Sequence, residues 1–322
     1  MPEFDLIQRY FTRPAPGVEL GVGDDAALLR IAPELELAVS TDMLVQGTHF
    51  FPGADPRLLG HKALAVNLSD MAAMGAKPRW ALLALSLPAE DSAWLQAFSE
   101  GFFALAVAHG VALIGGDTTR GPLNLCVTIL GEAPKGAALR RSGARPGDDI
   151  WVSGTLGEAA LALAHLRGQI VLPASELEVC ARRLHQPQPR VALGLALRGL
   201  AGGAIDISDG LLADLGHILE QSGAGARLEV GALPVPPLLR AGLAATAPER
   251  ELARHCALAG GDDYELCFTA APAQRTEIAA LAARLSCPLQ RIGSITAGGG
   301  CELRDTDGAI LQMKETGYDH FA

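Results

Sequence analysis

Helix-like and strand-like segments alternate along this chain, and caps and glycines mark where the helices begin and stop. Asp55-Pro56 supplies a cap followed by proline at the first helical position, and the helix it opens reads on to about Gly75. The apolar run "WALLALSL" (Trp80 to Leu87) follows as a buried strand, then a helix from about Asp91 to His109 that ends at Gly110. "VALIGG" and "NLCVTILGE" read as two more strands. Ahead of them, "FDLIQRYF" is a short helix, and "AALLRI" and "LELAVSTD" are strands around a turn at Ala32-Pro33-Glu34. A chain that alternates in this way buries its helices against sheet, which places it in the α/β or α+β class.

The Gly, Pro and charge cluster in "RRSGARPGDDIWVSG" (Arg140 to Gly154) interrupts the pattern and feeds a new strand, "DIWVSG". It divides the 322 residues into two domains of similar size, 1–140 and 141–322. The second half alternates again. Helices around 156–166 and 176–185 precede strand "GAIDIS" (Gly203 to Ser208). Helix "DGLLADLGHILEQSG" then has Asp209 near its cap and Gly223 as its stop. "YELCFTA" and "LQRIGSI" are further strands, and "TAGGGCELRDTDGAI" reads as a hairpin-like tail.

Aspartates recur at the expected strand ends and turns: Asp24 and Asp25 in "GVGDD", Asp42 in "STDM", Asp70 in "NLSDMAAMG", Asp117 in "GGDTTRG", Asp206 and Asp209 in "DISDG", Asp262 and Asp263 in "GGDDYEL". Strand-end loops are where α/β folds put functional groups. Solvated acids are more often Glu on helix faces beside Lys. Here short Asp side chains sit between Gly and apolar strands, an arrangement suited to metal ligation. Asp70 lies inside an apolar helix, where a cap, a buried hydrogen bond or a bound cation could account for it. Oxygen ligands without His or Cys spacing favour Mg²⁺, Mn²⁺ or Ca²⁺ over zinc, and Mg²⁺ fills its shell with substrate phosphates. The pattern therefore points to a nucleotide-phosphate site organised by several metal ions.

Other phosphate sites are excluded by the motifs. There is no G-x-x-x-x-G-K-[ST], no H-R-D and no D-F-G. "GVGDDA" fits G-x-G-x-x-A, and Asp42 follows at roughly the ~20-residue interval of a dinucleotide fold. Yet a proline-broken segment precedes it, a strand and not a helix follows it, and two carboxylates would face the pyrophosphate. A net charge of −10 with no basic cluster argues against nucleic acid or an anionic membrane as partner. "MPEFDLIQRYF" is too acidic and broken for a signal peptide, and no apolar run reaches the ~18 residues of a membrane span, so a cytoplasmic location is expected.

Taken together, "GVGDDAAL", "STDMLVQGTHF", "KALAVNLSDMAAMGAKP", "IGGDTTRG", "RSGARPGD", "DISDGLLADLGHI", "GGDDYELCFT" and "GYDHF" resemble the thiamine-monophosphate kinase family, in the family's order from Gly21 to Phe321. The resemblance implies a two-domain fold like that of aminoimidazole-ribonucleotide synthetase, with the N-terminal sheets of two subunits meeting in a dimeric β-barrel. It implies transfer of phosphate from ATP to thiamine phosphate, assisted by several Mg²⁺ ions, in a homodimer. By the same resemblance, Asp25, Ser40, Thr41, Asp42, Asp70, Asp117, Asp206 and Asp209 are metal-contacting residues. Gly116, Asp117, Arg141 and Ser208 contact ATP; His49 and Asp262 contact thiamine phosphate. No residue is implied as nucleophile or base. Asp24 and Asp263 are left to hydrogen-bond loop backbone. Two positions depart from the family: Asp262 stands where it has Glu, and Glu315 where it often has an aromatic. The alternatives are another ATP-using enzyme of the same superfamily, or a non-catalytic metal- or nucleotide-binding protein.

Overall fold

The computed structural model describes residues 3–22, 26–305 and 307–321. The chain folds as two compact units, Met1–Met71 with Ala76–Ala137, and Ala72–Gly75 with Ala138–Ala322.

In the first unit, α1 (Glu3–Leu6) runs on as a π turn to Phe11. Then follow β1 (Leu35–Val45), α2 (Pro56–Ala73), β2 (Lys77–Leu87), α3 (Ser92–His109), β3 (Ala112–Arg120) and β4 (Asn124–Pro134). The helix signals act as expected: Asp91 accepts the Ala93 and Trp94 N–H groups, each at 3.0 Å, and Gly110 ends α3 in the left-handed region. "AALLRI" does not form the expected strand. Leu28 makes only an isolated bridge to Leu20, and its neighbours lack the buried alternate face that would hold a ladder.

The four strands pair in the order β1-β4-β2-β3, with β2 and β3 parallel and the rest antiparallel. Alternation splits the sheet into two faces. Ala81, Leu83 and Leu85 on β2 and Leu125, Val127 and Ile129 on β4 are buried on one face, where Met71 of α2 packs against Gly131. The other face is bare at its edge: Leu37, Val39 and Met43 of β1 are 43%, 57% and 52% exposed.

The second unit carries β5 (Asp149–Ser153), α4 (Glu158–Leu166), α5 (Ala174–His185), α6 (Val191–Ala196), β6 (Ala204–Asp206), α7 (Leu211–Ser222), β7 (Gly225–Glu229), α8 (Pro237–Ala244), α9 (Glu249–Leu258), β8 (Leu266–Ala270), α10 (Arg275–Leu285), β9 (Leu289–Thr296), β10 (Cys301–Arg304) and β11 (Ile310–Leu311). Its seven strands run in the order β11-β10-β7-β9-β5-β8-β6, all antiparallel except β7 with β10. The core joins Ile150, Val152, Ile205, Leu228, Cys267 and Ile292 of the sheet to Leu211, Leu215 and Ile218 of α7. This apolar stripe on α7 is why the segment is a helix docked by one face. All six cysteines are free thiols.

At the start of β5, Asp149 is buried and receives Arg275 in a bidentate pair (2.6 and 2.7 Å) and Arg291 at 3.2 Å. The Arg275 hydrogen bonds hold its carboxyl below the usual range, against the opposing effect of burial, and Arg291 adds to them. A depressed folded-state pKa stabilises above the unfolded value of 3.8 and stops doing so as pH falls through the folded value. Arg275→Gln is therefore expected to lower the urea midpoint throughout pH 5–8, with the gap from the unmodified protein closing below about pH 4. Urea titrations across that range check it.

Candidate active site

In the first unit the expected residues sit on both edges of the sheet. Ser40, Thr41 and Asp42 follow one another along β1. The Ser40 hydroxyl donates to Asp70 Oδ2 at 2.6 Å, so strand β1 and helix α2 meet through a hydroxyl and a carboxylate. Asp70 thus gains a partner that explains an acid in an apolar helix. Thr41 Oγ1 lies 2.8 Å from Thr128 Oγ1 on β4. Asp42 is half-buried, and its charge adds to burial in raising the Cys126 thiol.

Gly116 and Asp117 belong to β3, the opposite edge. The register Asp42–Val127–Leu83–Gly116 spans three strand spacings, roughly 14 Å in a flat sheet. Asp117 is exposed, and the Ser40–Asp70 pair and Asp117 occupy separate places on the sheet. Gly116 has φ +146°, and a Cβ there would lie 1.8 Å from the Leu83 carbonyl oxygen, so only glycine lets β3 pass β2 this closely. His49 closes a turn after β1. Its Nδ1 accepts the Val45 N–H at 3.0 Å, so the neutral ring carries its proton on Nε2 and can offer a donor there. Asp25, with Asp24, lies outside the described residues.

In the second unit the expected residues gather around one turn. Asp206 ends β6 and is buried; Ser208 and Asp209 follow, half-buried, and Gly210 caps α7, so Asp209 stands next to the cap, as expected. The 261–264 turn runs beside it. Asp262 donates its N–H to Ser208 O at 2.8 Å, and Tyr264 donates to Ile207 O at 2.8 Å. Asp262 is held at φ +67°. Tyr318 of "GYDHF" donates its N–H to Asp209 O at 3.0 Å. Burial raises the Asp209 carboxyl; His320, His217 and Arg141 pull it down and Asp262 pushes it up, which sets all four within electrostatic reach. Arg141 itself is exposed. Glu315 lies 3.4 Å from His255.

Two acids inside the segments "DISDGLLADLGHI" and "GGDDYELCFT" were not singled out from the sequence. Asp214 sits on the buried stripe of α7 between Leu211 and Leu215, and its Oδ2 accepts the N–H groups of Ser208, Asp209 and Gly210 at 3.0, 3.1 and 3.1 Å. Burial and the nearby Asp206 and Asp209 push its carboxyl up to about 7, against these N–H bonds. The signal was an acid at a core position of an amphipathic helix, whereas Asp70 stands out as an acid within an apolar one. Second, Glu265 is fully buried under Arg183, Arg190 (Nε at 2.6 Å) and the Ser153 hydroxyl (2.5 Å). Glu158 holds the other side of Arg183 at 3.1 Å. Asp263, buried and raised well above the ordinary carboxylate range by burial, accepts the Gly157 N–H, the backbone role expected of it. Among the described residues, no three His, Cys, Asp or Glu side chains converge as a ready metal cage.

Residues 23–133 match the family model of the N-terminal domain of AIR synthase related proteins, and residues 145–306 that of their C-terminal domain. The thiamine-monophosphate kinase of Escherichia coli (strain K12) is 49% identical over 99% of this chain and 98% of its own. The crystal structure of thiamine-monophosphate kinase from Stenotrophomonas maltophilia K279a superposes with a TM-score of 0.84 at 49% identity, covering 96% of each chain. The chain belongs to the thiamine-monophosphate kinase family. AaThiL complexed with AMPPCP and TMP is also similar, with a TM-score of 0.75 at 27% identity over 98% of this chain and 96% of that one. The fold expected from the resemblance is thus the mixed α/β, two-domain fold of this family.

Within this family's motif "GGDDYEL", the acids divide by position. Glu265 and Asp263 point inward and hold the loop, whereas Asp262 stands at the turn beside Ser208. Glu265→Gln would leave the largely buried Arg190 guanidinium without its anion and Arg183 with Glu158 alone, at a cost of about 3–5 kcal/mol. Urea unfolding of the variant checks this, and a change below about 1 kcal/mol would contradict it.

Proposed function

We propose that this chain transfers the γ-phosphoryl group of ATP to thiamine phosphate, giving thiamine diphosphate and ADP. Kinship of 49% with a thiamine-monophosphate kinase over practically the whole chain carries this reading. A relative complexed with an ATP analogue and TMP supports the two substrates. The rival readings, a different enzyme of the superfamily or a non-catalytic binder, account less well for that full-length identity.

The acceptor is a phosphate monoester whose second pKa is near ~6, so at neutral pH it is already largely dianionic. It needs no strong general base, and we assign no residue as base or nucleophile. The obstacle is electrostatic: one polyanion must approach another, in a protein of net charge −10. Cations must therefore be supplied. The donor set fits Mg²⁺: all the candidate ligands are hydroxyl or carboxylate oxygens, and the Ser40 hydroxyl and Asp70 carboxylate already lie 2.6 Å apart. Ser40, Thr41, Asp42, Asp70 and Asp117 in the first unit and Asp206 and Asp209 in the second are the residues that would hold several such ions, with Asp25 as a further ligand by resemblance. Bound Mg²⁺ would supply charge neutralisation and alignment of the phosphates for in-line transfer.

The chain's own groups then orient the substrates. Arg141 offers an exposed guanidinium, suited to bidentate phosphate contact. Ser208 offers a hydroxyl for ATP, with Gly116 giving the nucleotide a close backbone approach. His49 presents an Nε2–H donor toward thiamine phosphate, and Asp262 an acceptor. Asp262 is one methylene shorter than the family's Glu; its left-handed backbone and its bond to Ser208 bring the carboxylate to the turn from a fixed base.

We also infer a homodimer. The apolar outer face of the first sheet, with Leu37, Val39 and Met43 open to solvent on an edge strand, suits a second copy closing a β-barrel. A cytoplasmic location accords with six unpaired thiols; no helix among the described residues is long and apolar enough to cross a membrane.

Incubation with ATP, Mg²⁺ and thiamine phosphate should yield thiamine diphosphate, followed by chromatography; its absence in a folded preparation would overturn the reading. Asp42→Asn or Asp117→Asn is expected to lower kcat/KM more than about 100-fold without altering mass in solution, since even outer-shell metal partners are worth roughly 10–100-fold. Turnover at the unmodified rate by both would sink the metal assignment. Light scattering should give a dimer, and Val39→Glu combined with Met43→Glu a monomer.

A further inference from the structure

The turn before α7 has the outline of an anion site. A glycine leads into a helix N-terminus, where free N–H groups and the helix dipole favour a phosphate. In this chain those groups are already taken. The N–H groups of Ser208, Asp209 and Gly210 all donate to Asp214 Oδ2. The carbonyls are engaged as well: Ser208 O accepts from Asp262, Asp209 O from Tyr318 and Gly210 O from Asp214. Every main-chain polar group of the three residues is satisfied from within the unit. Asp214 is 3% exposed, so the carboxyl oxygen that accepts these N–H groups is internal and not a surface one.

We propose that Asp214 is the positioning residue of this turn: it occupies the amides that a nucleotide phosphate would otherwise bind, and so leaves the Ser208 and Asp209 side chains to meet the nucleotide. The proposal rests on the reading of Ser208 and Asp209 as nucleotide- and metal-contacting groups. It explains why an acid-rich turn stands where related geometries elsewhere use bare backbone. An amide-lined turn would bind phosphate directly, without metal. A turn whose amides are filled by its own carboxylate can hold phosphate only through side chains and the cations they carry. It also makes the turn rigid before any ligand arrives.

Two measurements test it. In the unmodified protein without nucleotide, hydrogen exchange should find the Ser208, Asp209 and Gly210 amides protected, and a non-hydrolysable ATP analogue with Mg²⁺ should add little. Fast exchange that slows only when the analogue binds would mean that the nucleotide takes the amides, and would overturn the proposal. In Asp214→Asn, calorimetry should give an affinity for the Mg²⁺–analogue weaker by about tenfold or more, the scale set by weakening the three N–H bonds that hold the turn. The Mg²⁺ concentration for half-maximal rate should rise, and the KM for thiamine phosphate should stay unchanged. Unchanged nucleotide affinity, or equal losses toward both substrates with a lowered melting temperature, would reduce Asp214 to a packing role. Asp209→Asn separates the two ideas. If it leaves Mg²⁺ dependence untouched, the reading of Asp209 as a metal contact fails, while the exchange experiment still decides whether Asp214 holds the turn.

Discussion

Glu265 is wholly enclosed, and a carboxylate in that position is tolerable only because Arg183, Arg190 and Ser153 all reach it. Much of the second unit is arranged around that requirement. Arg183 ties α5 to the start of β8, and Arg190 brings in the approach to α6. Gly154 must be glycine, with φ +61°, because a Cβ there would lie 2.0 Å from Glu265 Oε1. The main chain of Glu265 accepts the Ile207 N–H at 2.8 Å, so the ion cluster also sets the register in which the 206–210 turn lies beside the 261–264 turn. Groups that meet no substrate thus decide where the candidate substrate groups stand.

The same logic of internal charges runs through the site. An acidic protein that handles two polyanions must not meet phosphate with bare carboxylates, and it must not let those carboxylates collapse onto stray backbone amides. Asp70 is held by Ser40, and Asp209 is carried on a turn anchored from inside by Asp214. Asp263 is placed against Gly157, at the start of α4. Two neighbouring aspartates therefore serve different ends, Asp262 at the turn and Asp263 in the core.

How legible this was depended on range. Helix starts and stops were readable because caps act within a few residues: Asp91, Gly110 and Gly223 behave as their chemistry dictates. "AALLRI" misled because a strand needs a partner ladder, and nothing local says whether one exists. Helices α6, α8, α9 and α10 and strand β7 were missed, since their order comes from packing on a sheet assembled from distant segments. Asp42, Asp70, Asp117, Asp206 and Asp209 stood out as short acids beside glycine and apolar runs. Asp214 and Glu265 did not, because each lies within an ordinary-looking element and acquires its meaning only from N–H groups or arginines brought in by the fold. The wide separation of Asp42 and Asp117 on opposite sheet edges was equally invisible before the strand order β1-β4-β2-β3 was known.

Carboxylates and hydroxyls on these strand ends and turns are held to bind phosphates through divalent cations. Anomalous diffraction from crystals grown with Mn²⁺, a non-hydrolysable ATP analogue and thiamine phosphate tests this most directly. Several Mn²⁺ peaks are expected, each bound to phosphate oxygen and to members of the set Ser40, Thr41, Asp42, Asp70, Asp117, Asp206 and Asp209. Phosphates seated on backbone amides or basic side chains, with no anomalous peak at these residues, would contradict it.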